Sequence, residues 1–552
     1  MAKKVVVMGG GVAGLTAAHE LSERDFDVEL YESKDRLGGK SRSMSYGEMD
    51  LPAEHGFRFM PGCYSHLPDT MERIPADEGT VSDNLVTASS LRKSMVGQPD
   101  RISADEIPRS VKEFRETTQK MVWRGEVPAL EHNYFLNRVM TLLTSCEERW
   151  ENEYEETSWW EFMDADRMSD EYRKFLVRGA TKILVAMKPR ESSTKTIGKM
   201  TIQTMLDILH PERDAVRILN DPTSESFIEP WRRYLDSLGV RIETGTEVTE
   251  FNYDPVRNEI TGVRLDADGK TWDVEGDYYV SALPLRVLSK LATDEMKNCC
   301  SGLAGLDELT TDWMNGIQFY LSENREVTEG HGMYFDSPWA LTSVSQRQFW
   351  NRDWSQYGEI EGVVSVCISD WDRNGLLHEK PAKRCSPEEI KEEVWYQLKV
   401  HLNHEEEVLS DDILVDYHLD PAISYDGERN TNDSPLFVNT LGSWKHRPEA
   451  DCGIDNFYVA GDYVKTNSDL ATMESANESA RRAVNALLND TDVRAERCRI
   501  WDLPEPRMFE PLKKLDKARY KLGLPHLGER TGKVWLKASS LGLTDQTEGI
   551  LS

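Results

Sequence analysis

The chain has 552 residues, of which 39% are hydrophobic, and a net charge of −31. A chain of this length is too long for one compact core and predicts two or more domains. The hydrophobic fraction is high enough to form a buried core in each domain. The strongly acidic balance argues against nucleic acid as a partner. The eight cysteines show no C-x-x-C spacing and no clustering with histidines. That argues against a metal site or a disulfide framework and is typical of a reducing compartment.

No run of residues reaches the 18 or more apolar positions of a membrane span, and an apolar strand begins within the first few residues. We therefore expect no leader peptide and a cytoplasmic protein. The stretch 491–552 departs from the acidic pattern, since it holds 12 lysines and arginines against 9 acids. Residues 513–522 mix basic and apolar positions, and Val534-Trp535-Leu536 follow. The stretch predicts either a peripheral anchor for anionic lipid or an arm packed on the body or on a second subunit of a homo-oligomer.

The N-terminal strand, residues 3–8, runs into a G-x-G-x-x-G turn and a small-residue helix. A second strand then ends on an acid, 18 residues beyond the last glycine of the turn. Such a turn lets the backbone approach a pyrophosphate at the helix N-terminus, and the acid accepts the ribose hydroxyls. This unit predicts dinucleotide binding rather than a structural glycine turn. Its binding residues are Gly9, Gly11, Val12, Ala13, Gly14 and Glu32.

The loop after this acid indicates which dinucleotide is bound. Residues 33–43 read S-K-D-R-L-G-G-K-S-R-S. This resembles the flavoproteins with two dinucleotide-binding domains, in which the loop wraps the FAD diphosphate, whereas an ordinary nicotinamide dehydrogenase has no need of a basic Gly-Gly loop here. We therefore expect FAD, and the alternative for the two cations is solvated surface charge. The loop residues assigned to the cofactor are Ser33, Arg36, Gly38, Gly39 and Lys40.

The strand-and-helix pattern recurs in three stretches that two long insertions separate. This order predicts an α/β fold, in which a discontinuous Rossmann-like FAD domain carries an α+β substrate domain inserted in two pieces. In chain order the predicted segments are FAD domain 1–75, substrate domain 76–224 with a strongly helical pattern, FAD domain 225–300, substrate domain 301–440, FAD domain 441–490 and a C-terminal tail 491–552.

Single elements can be predicted inside these segments. Residues 110–188 have a long helical pattern, in which Ser158 and Glu161 have the spacing of a capping box at a helix start. The tryptophans at 159–160 are expected in a core in preference to a substrate site. A hairpin is predicted about residues 266–269.

Two further blocks carry a resemblance to a known family. Residues 54–64, E-H-G-F-R-F-M-P-G-C-Y, are similar to the E-x-G-x-H-x-F-F-G-x-Y stretch of carotene desaturases. Residues 460–476 contain A-G-D-Y-V-K and L-A-T-M-E-S-A, similar to the desaturases' A-G-D-Y-x-K and L-A-S-M-E-G-A. With the N-terminal block, the chain resembles the superfamily of FAD-dependent amine oxidases and phytoene desaturases. Within it, the chain looks closest to plant- and cyanobacterial-type carotene desaturases, and the insertions match only in outline.

The resemblance implies roles for these blocks. Residues 54–64 would pass beside the flavin ring, and the helix that begins after Thr472 would face its N1/O2 edge and stabilise negative charge on the reduced ring. FAD would be bound non-covalently, because Cys452, the only thiol near the last block, lies in a turn-like stretch. The further cofactor residues that the resemblance implies are Glu54, Gly56, Phe57, Arg58, Val248 (through its main chain to adenine), Gly461, Asp462, Thr472 and Met473.

Arg58 stands where the desaturases have histidine, and Ser475 stands where they usually have glycine. Arg58 is expected either to stabilise reduced cofactor or bind an anionic substrate, or to pair with one of the many carboxylates. No catalytic base is evident from the sequence. The only candidates for a catalytic role are Arg58 and His55, with His66 nearby, and a structural role is the alternative for each histidine.

The activity that the resemblance implies is removal of a hydride from an apolar isoprenoid or polyene, with quinone or oxygen reoxidising the flavin. Such a reaction needs an apolar chamber and orientation rather than an acid–base pair, which fits a chain without an evident catalytic triad. The alternatives are a flavin amine oxidase that uses oxygen, a polyene isomerase or squalenoid dehydroxylase of the same architecture, and a non-catalytic FAD-bearing scaffold. Asp462 favours the desaturases, since amine oxidases often have glutamate or threonine after the A-G of this strand.

Overall fold

A six-stranded sheet draws its strands from three separated parts of the chain. The computed structural model describes residues 2–88, 90–104, 127–179, 181–182, 186–209, 216–404 and 406–529. All neighbouring strands of this sheet are parallel except the last pair. Their order is Arg241–Glu243, Asp27–Tyr31, Lys4–Met8, Tyr278–Ser281, Phe457–Val459 and Asp451–Ile454.

The parallel arrangement brings four chain segments to one edge of the sheet. Successive strands pair in register, Met8 opposite both Tyr31 and Ser281, and Ser281 opposite Val459. Since the carboxyl ends of parallel strands lie together, the glycine turn and the later loops emerge side by side, where open α/β sheets bind ligands. The helices Val12–Ser22 and Met473–Leu487 pack on each other here, with Asn477 Nδ2 donating to Thr16 Oγ1 at 2.9 Å.

A seven-stranded sheet forms the second layer and takes strands from both insertions. One pair, Gly330–Tyr334 with Ser90–Met95, is parallel and the others are antiparallel. The helix Pro387–Leu402 packs on it, with the rings of Phe319 and Trp395 5.1 Å apart. The strand order is Leu414–Leu419, Asn315–Leu321, Gly362–Ile368, Thr342–Ser345, Gly330–Tyr334, Ser90–Met95 and Gln98–Ala104.

The first insertion also supplies a helical layer. Ser158 Oγ accepts the Glu161 N–H at 3.1 Å and Glu161 reaches back to Ser158, which confirms the predicted capping box at the start of the helix Trp159–Phe162. The two tryptophans there are buried in the helical core, as expected. Part of the predicted helical stretch, residues 110–126, lies outside the described residues.

Smaller elements complete the described part of the chain. The predicted hairpin is confirmed, because Glu259–Ala267 pairs with Lys270–Val274 around Gly269. The expectation of a turn around Cys452 is wrong, since that residue lies buried in the strand Asp451–Ile454. The other short strands are Ser43–Tyr46, Leu51–Glu54, Met60–Pro61, Leu85–Thr87, Val216–Leu219, Glu247–Asp254, Thr310–Asp312, Ile423–Tyr425, Asn430–Asn432 and Leu436–Val438. The other α-helices are His66–Arg73, Ala129–Leu143, Glu147–Asn152, Asp170–Tyr172, Thr194–Leu209, Glu229–Ser237, Leu285–Leu291, Asp294–Cys299 and Ser301–Gly305.

The C-terminal tail packs on the body as far as the structure describes it. Its helix Glu510–Lys521 is held by Asp516, whose carboxylate accepts from Arg149 Nε and Nη2 at 3.0 Å each. Both side chains are buried, so this ion pair docks the helix. The residues Val534-Trp535-Leu536 lie outside the described residues. Within the described ranges, no helix is both long and apolar enough to cross a membrane.

Candidate functional site

The glycine turn and the basic Gly-Gly loop meet backbone to backbone. Gly9 has a φ of +101°, and a Cβ on Gly14 would lie 1.8 Å from the Gly9 carbonyl oxygen, so both positions require glycine. The Gly38 N–H donates to Gly10 O at 2.8 Å, and a Cβ on Gly39 would lie 3.1 Å from the Gly11 Cα. The two loops predicted to hold one diphosphate therefore lie in direct contact.

The turn leaves a helix N-terminus available for an anion. Gly11 caps the helix Val12–Ser22 without any side-chain hydrogen bond, and an added Cβ at Gly11 would meet only the Gly39 Cα, at 3.8 Å. Free N–H groups and the helix dipole favour a negative charge at such an end. Val12 and Ala13, which the sequence assigns to the cofactor, form the first residues of this helix.

Glu32 lies buried at the end of the second strand, beside the turn. Its carboxylate accepts the N–H groups of Gly10 at 2.6 Å and Lys34 at 2.9 Å, and the Ser33 hydroxyl at 3.3 Å. The predicted ribose acid is thus fixed against the glycine turn.

Further predicted cofactor residues gather around these loops. Lys40 Nζ lies 3.8 Å from Asp462 Oδ2, which joins the first and last sequence blocks. Gly461 has a φ of +150°, and its N–H donates to Ser479 Oγ at 2.9 Å. Arg36 is about half exposed and lies 3.9 Å from Asp35, and its predicted contact with the cofactor stays a prediction.

The last block places a second helix N-terminus near the first. Thr472 caps the helix Met473–Leu487, its Oγ1 accepting the Ser475 N–H at 3.1 Å. Glu474 turns away from this end, because its carboxylate accepts the N–H groups of residues 65–67 at 2.8–2.9 Å and contacts His66 Nδ1 at 2.8 Å. His66 Nε2 accepts the Trp501 N–H at 3.0 Å, so this histidine has a structural role.

A buried ion pair that the sequence analysis missed holds the loop before this helix. Asp469 has a φ of +49°, and its carboxylate accepts from Arg447, Thr196 and Asn439. Arg447 also donates to Tyr463 O at 2.9 Å. These contacts join residues far apart in the chain, so local spacing offered no signal for them.

The segment after the strand Leu51–Glu54 connects the glycine loops to the seven-stranded sheet. A Cβ on Gly316 would lie 2.7 Å from the Gly56 Cα, so two backbones touch here. His55 Nδ1 lies 2.8 Å from Oδ2 of Asp420, and both side chains are buried. Burial lowers the pKa of His55 more than Asp420 raises it. This geometry gives His55 a positioning role between the two sheets.

Glu54 is buried beside the same junction. Its carboxylate accepts the Thr223 N–H at 2.8 Å and the Thr223 hydroxyl at 3.0 Å. Burial raises the pKa of Glu54 to about 7, and the nearby Arg58 charge and the Thr223 hydrogen bonds offset this only in part. The group therefore changes charge near neutral pH.

Arg58 donates to backbone carbonyls rather than to a carboxylate. Nη1 reaches Gly56 O at 2.6 Å and Phe57 O at 3.3 Å, and Nη2 reaches Lys40 O. Its Nε is buried without a hydrogen-bond partner among the residues that the structure describes. The sequence allowed two roles for Arg58, of which one was an ion pair with a carboxylate. No such pair is found within the described ranges. The Arg58 charge therefore stays available to a cofactor or substrate next to the Gly-Gly loop.

The other side of this segment is apolar. Phe57 packs with Ile218, Val344 and Cys367, and the His331 ring lies 5.2 Å from the Phe57 ring. Burial lowers the pKa of His331 to about 4, so that imidazole is neutral at pH 7. We call these five residues the apolar wall. The sequence analysis missed four of them, because single strand residues carry no motif.

Val248, assigned to the adenine, is buried in the strand Glu247–Asp254 and pairs with Leu265 just before a β-bulge. The bulge interrupts the ladder after Val248, and Thr246 N–H donates to Glu32 O at 2.8 Å, which places this strand next to the ribose acid. The position of Val248 agrees with the predicted contact between its main chain and the adenine, and that contact stays a prediction.

The family follows from a match over most of the chain. The model of the flavin-containing amine oxidoreductases matches residues 12–488. The chain belongs to this family. A flavin fits the residues present: an uncapped helix end, two glycine loops in backbone contact, a fixed acid and an unpartnered guanidinium Nε.

Relatives and solved structures agree with this flavin oxidoreductase assignment. The carotenoid phi-ring synthase of Chlorobaculum tepidum is 28% identical over 285 residues, which cover 48% of this chain and 40% of that protein. The 15-cis-phytoene desaturase of Glycine max is 21% identical over 507 residues, which cover 89% and 80%. A putrescine oxidase structure superposes with a TM-score of 0.61 at 13% identity, covering 89% of this chain and 99% of its own, and shows the shared fold.

Replacing Glu54 tests its shifted ionisation. The raised pKa means that the folded protein holds a proton that the unfolded chain releases above about 4.5. Stability is therefore lost as pH rises from about 5 to 8, by on the order of 3 kcal/mol for this group. Glu54→Gln should reduce the fall in melting temperature between pH 5 and pH 8. The exposed Glu48→Gln is the control, and equal falls for Glu54→Gln and wild type would contradict the assignment.

Placing a carboxylate at Gly11 tests the anion site. The backbone there accepts a side chain without strain, so Gly11→Asp should fold yet repel the flavin diphosphate from the helix end. We expect colourless protein with a melting temperature near that of wild-type apoprotein. Ser22→Asp, at the other end of the same helix, should stay yellow. A yellow Gly11→Asp protein would refute the placement.

Proposed function

We propose that this flavin oxidoreductase binds FAD non-covalently and acts as a desaturase-type dehydrogenase on an apolar isoprenoid or polyene. The substrate loses a hydride and a proton and gains a carbon–carbon double bond. When bound, FAD supplies the acceptor for that hydride. The match to the phytoene desaturase over most of both chains supports this choice over other activities of the family.

The observation that carries the proposal is the similarity to the phytoene desaturase, and the apolar wall beside Phe57 agrees with it. The wall's members are apolar or neutral, since burial keeps His331 uncharged at pH 7. A hydrocarbon loses no hydrogen bonds on entering such surroundings, whereas an ammonium ion loses its hydration without gaining a partner. The neighbouring Arg58 cation adds repulsion of an ammonium group. Both effects favour a polyene over an amine.

The residues that would hold FAD come from the three sequence blocks. Glu32 would bind a ribose, the two glycine loops and the helix end at Gly11 would bind the diphosphate, and the helix end at Thr472 would stabilise a reduced ring. Arg58 would supply a further positive charge through its free Nε. Substrate orientation and water exclusion fall to the apolar wall, and a lipid-soluble quinone or oxygen would reoxidise the cofactor.

We further propose that the tail helix places the protein at an anionic membrane surface. The helix Glu510–Lys521 and its flanks expose six large apolar side chains while Asp516 holds the opposite side on the body. Lysines and Arg519 lie between them. Exposed apolar residues among cations are the pattern of an interfacial helix, and an apolar substrate resides in a membrane. The exposed apolar side chains are Met508, Leu512, Leu515, Leu522, Leu524 and Leu527.

Anaerobic flavin absorbance tests the reaction. Purified yellow protein receives an isoprenoid lipid extract in one cuvette, amines in a second and isoprenoid-free phospholipid in a third. We expect the isoprenoid extract alone to bleach the flavin as fully as dithionite does. Bleaching by amines alone would make the protein an amine oxidase. Conversion of a polyene without net bleaching would refute the dehydrogenase and assign an isomerase.

Removing the exposed leucines tests the membrane surface without breaking the Arg149–Asp516 contact. The triple variant Leu512→Ser, Leu515→Ser, Leu522→Ser should lose flotation with phosphatidylglycerol liposomes, while wild type floats. The control is Leu376→Ser with Leu377→Ser, two leucines of similar exposure elsewhere. Equal flotation of wild type and the triple variant, or none in wild type, would contradict the anchor. A triple variant that changes the oligomeric state instead would assign this face to a contact between two copies.

A further inference from the structure

A cationic cleft lies between the helical layer and the end of the seven-stranded sheet. It has a volume of about 460 Å³, and its lining includes six lysines and arginines but only four aspartates. None of the residues assigned to the cofactor lines it. The chain as a whole carries a charge of −31, so an excess of cations in one concave site runs against the average surface.

Each aspartate of the cleft is already matched to one cation. Asp170 pairs with Arg173 at 2.6 Å, Asp166 with Arg190 at 2.8 Å, Asp336 with Lys174 at 3.6 Å, and Asp370 with Lys182. The remaining cations are Arg178 and Arg373, which have no carboxylate within ion-pair distance among the described residues. Their positive charge is therefore not neutralised by the part of the chain that the structure describes.

The unpaired guanidiniums converge from different elements. Arg178 ends the π-helical segment Arg173–Arg178, and Arg373 lies beyond the strand Gly362–Ile368. Burial lowers the pKa of Arg178, and the neighbouring Arg373, Arg190 and Arg173 lower it further. Like charges that line one cleft repel one another, and a bound anion would relieve that repulsion.

The walls of the cleft are built with unusual backbone. The π-helical segment is a rare conformation that frequently occurs at functional sites. Gly179, directly after it, leaves room for Phe335, whose ring would lie 2.5 Å from an added Cβ. Ala340 has a φ of +51°, an uncommon conformation for a residue with a side chain. Local strain of this kind persists where the surrounding fold or a function holds it.

Trp160 provides an aromatic side to the cleft. The guanidinium of Arg190 lies 3.9 Å from its ring centroid and that of Arg178 lies 5.3 Å away. Its Nε1 donates to Asp166 Oδ1 at 2.9 Å, which fixes the ring. Stacking on Trp160 holds the guanidiniums of Arg178 and Arg190 in place. The N–H groups of Arg178 are therefore oriented before a ligand binds.

We propose that this cleft binds a phosphate or diphosphate group through Arg178 and Arg373. Guanidinium forks match phosphate oxygens in pairs, and two unneutralised forks suit a multiply charged anion. The group can belong to a soluble phosphate compound or to a lipid headgroup. The site is separate from the flavin site, and the proposal does not depend on which substrate the flavin oxidises.

Calorimetry with inorganic pyrophosphate tests the site in flavin-loaded protein, whose diphosphate position is filled. We expect one pyrophosphate per chain, bound more weakly as salt rises. The double variant Arg178→Gln, Arg373→Gln should weaken binding by about tenfold or more, as loss of charged hydrogen bonds does. The control Arg257→Gln, Arg264→Gln removes two arginines from an exposed hairpin. Absent binding, or equal binding in wild type and the cleft variant, would overturn the proposal.

Vesicles distinguish the two sources of the phosphate group. The cleft variant and its parent, both carrying Leu512→Ser, Leu515→Ser and Leu522→Ser to remove the proposed tail anchor, are sedimented with phosphatidic acid in phosphatidylcholine, with and without pyrophosphate. Cosedimentation that pyrophosphate displaces and that the cleft variant loses assigns a lipid headgroup. Pyrophosphate binding without such cosedimentation assigns a soluble phosphate compound. Unchanged flavin content and melting temperature show that the cleft variant is folded.

Discussion

The architecture depends on backbones that touch with no side chain between them. The Gly9 carbonyl lies where a Cβ of Gly14 would stand, and Gly39 meets Gly11 in the same way. These contacts fix the distances between the first strand, its helix and the Gly-Gly loop. Because the strands are parallel, the loops that follow the later strands emerge at the same edge of the sheet. Any side chain at Gly9 or Gly14 would push apart the first strand and its helix, on which the neighbouring strands and loops pack.

A second contact of this type joins the two sheets. Gly56 and Gly316 bring the segment after Glu54 against the seven-stranded sheet. Around this point the polar groups are buried and paired, such as His55 with Asp420. Breaking a buried pair leaves an uncompensated charge, so such pairs resist displacement. The segment that the resemblance places beside the flavin is therefore held from both sides, which is what an oriented hydride transfer requires.

The protein contains two local environments that differ from its acidic surface, an uncharged apolar cluster and a cationic cleft. The apolar wall next to Phe57 contains no charged side chain, and its histidine is kept neutral by burial. The cationic cleft gathers guanidiniums and matches every aspartate that lines it. The two places differ in charge because one is a buried cluster and the other is an open cleft in which cations outnumber aspartates.

Features that depend on neighbouring residues could be predicted from the amino-acid sequence. The glycine turn, the acid after the second strand, the Ser158 capping box and the hairpin around Gly269 are all local, since a few consecutive residues must adopt one backbone. These motifs could be predicted because each one is defined by the spacing of a few residue types. The α/β class followed from the order of such local patterns.

Contacts between residues far apart in the chain became visible only in the folded protein. His55 became a partner of Asp420, 365 positions away, and Arg58 found backbone carbonyls instead of a carboxylate. Asp469 and Arg447, His331, and the convergence of Arg178 with Arg373 had no sequence signal. Their roles depend on burial and on charges brought together by folding, and neither quantity exists in a linear chain.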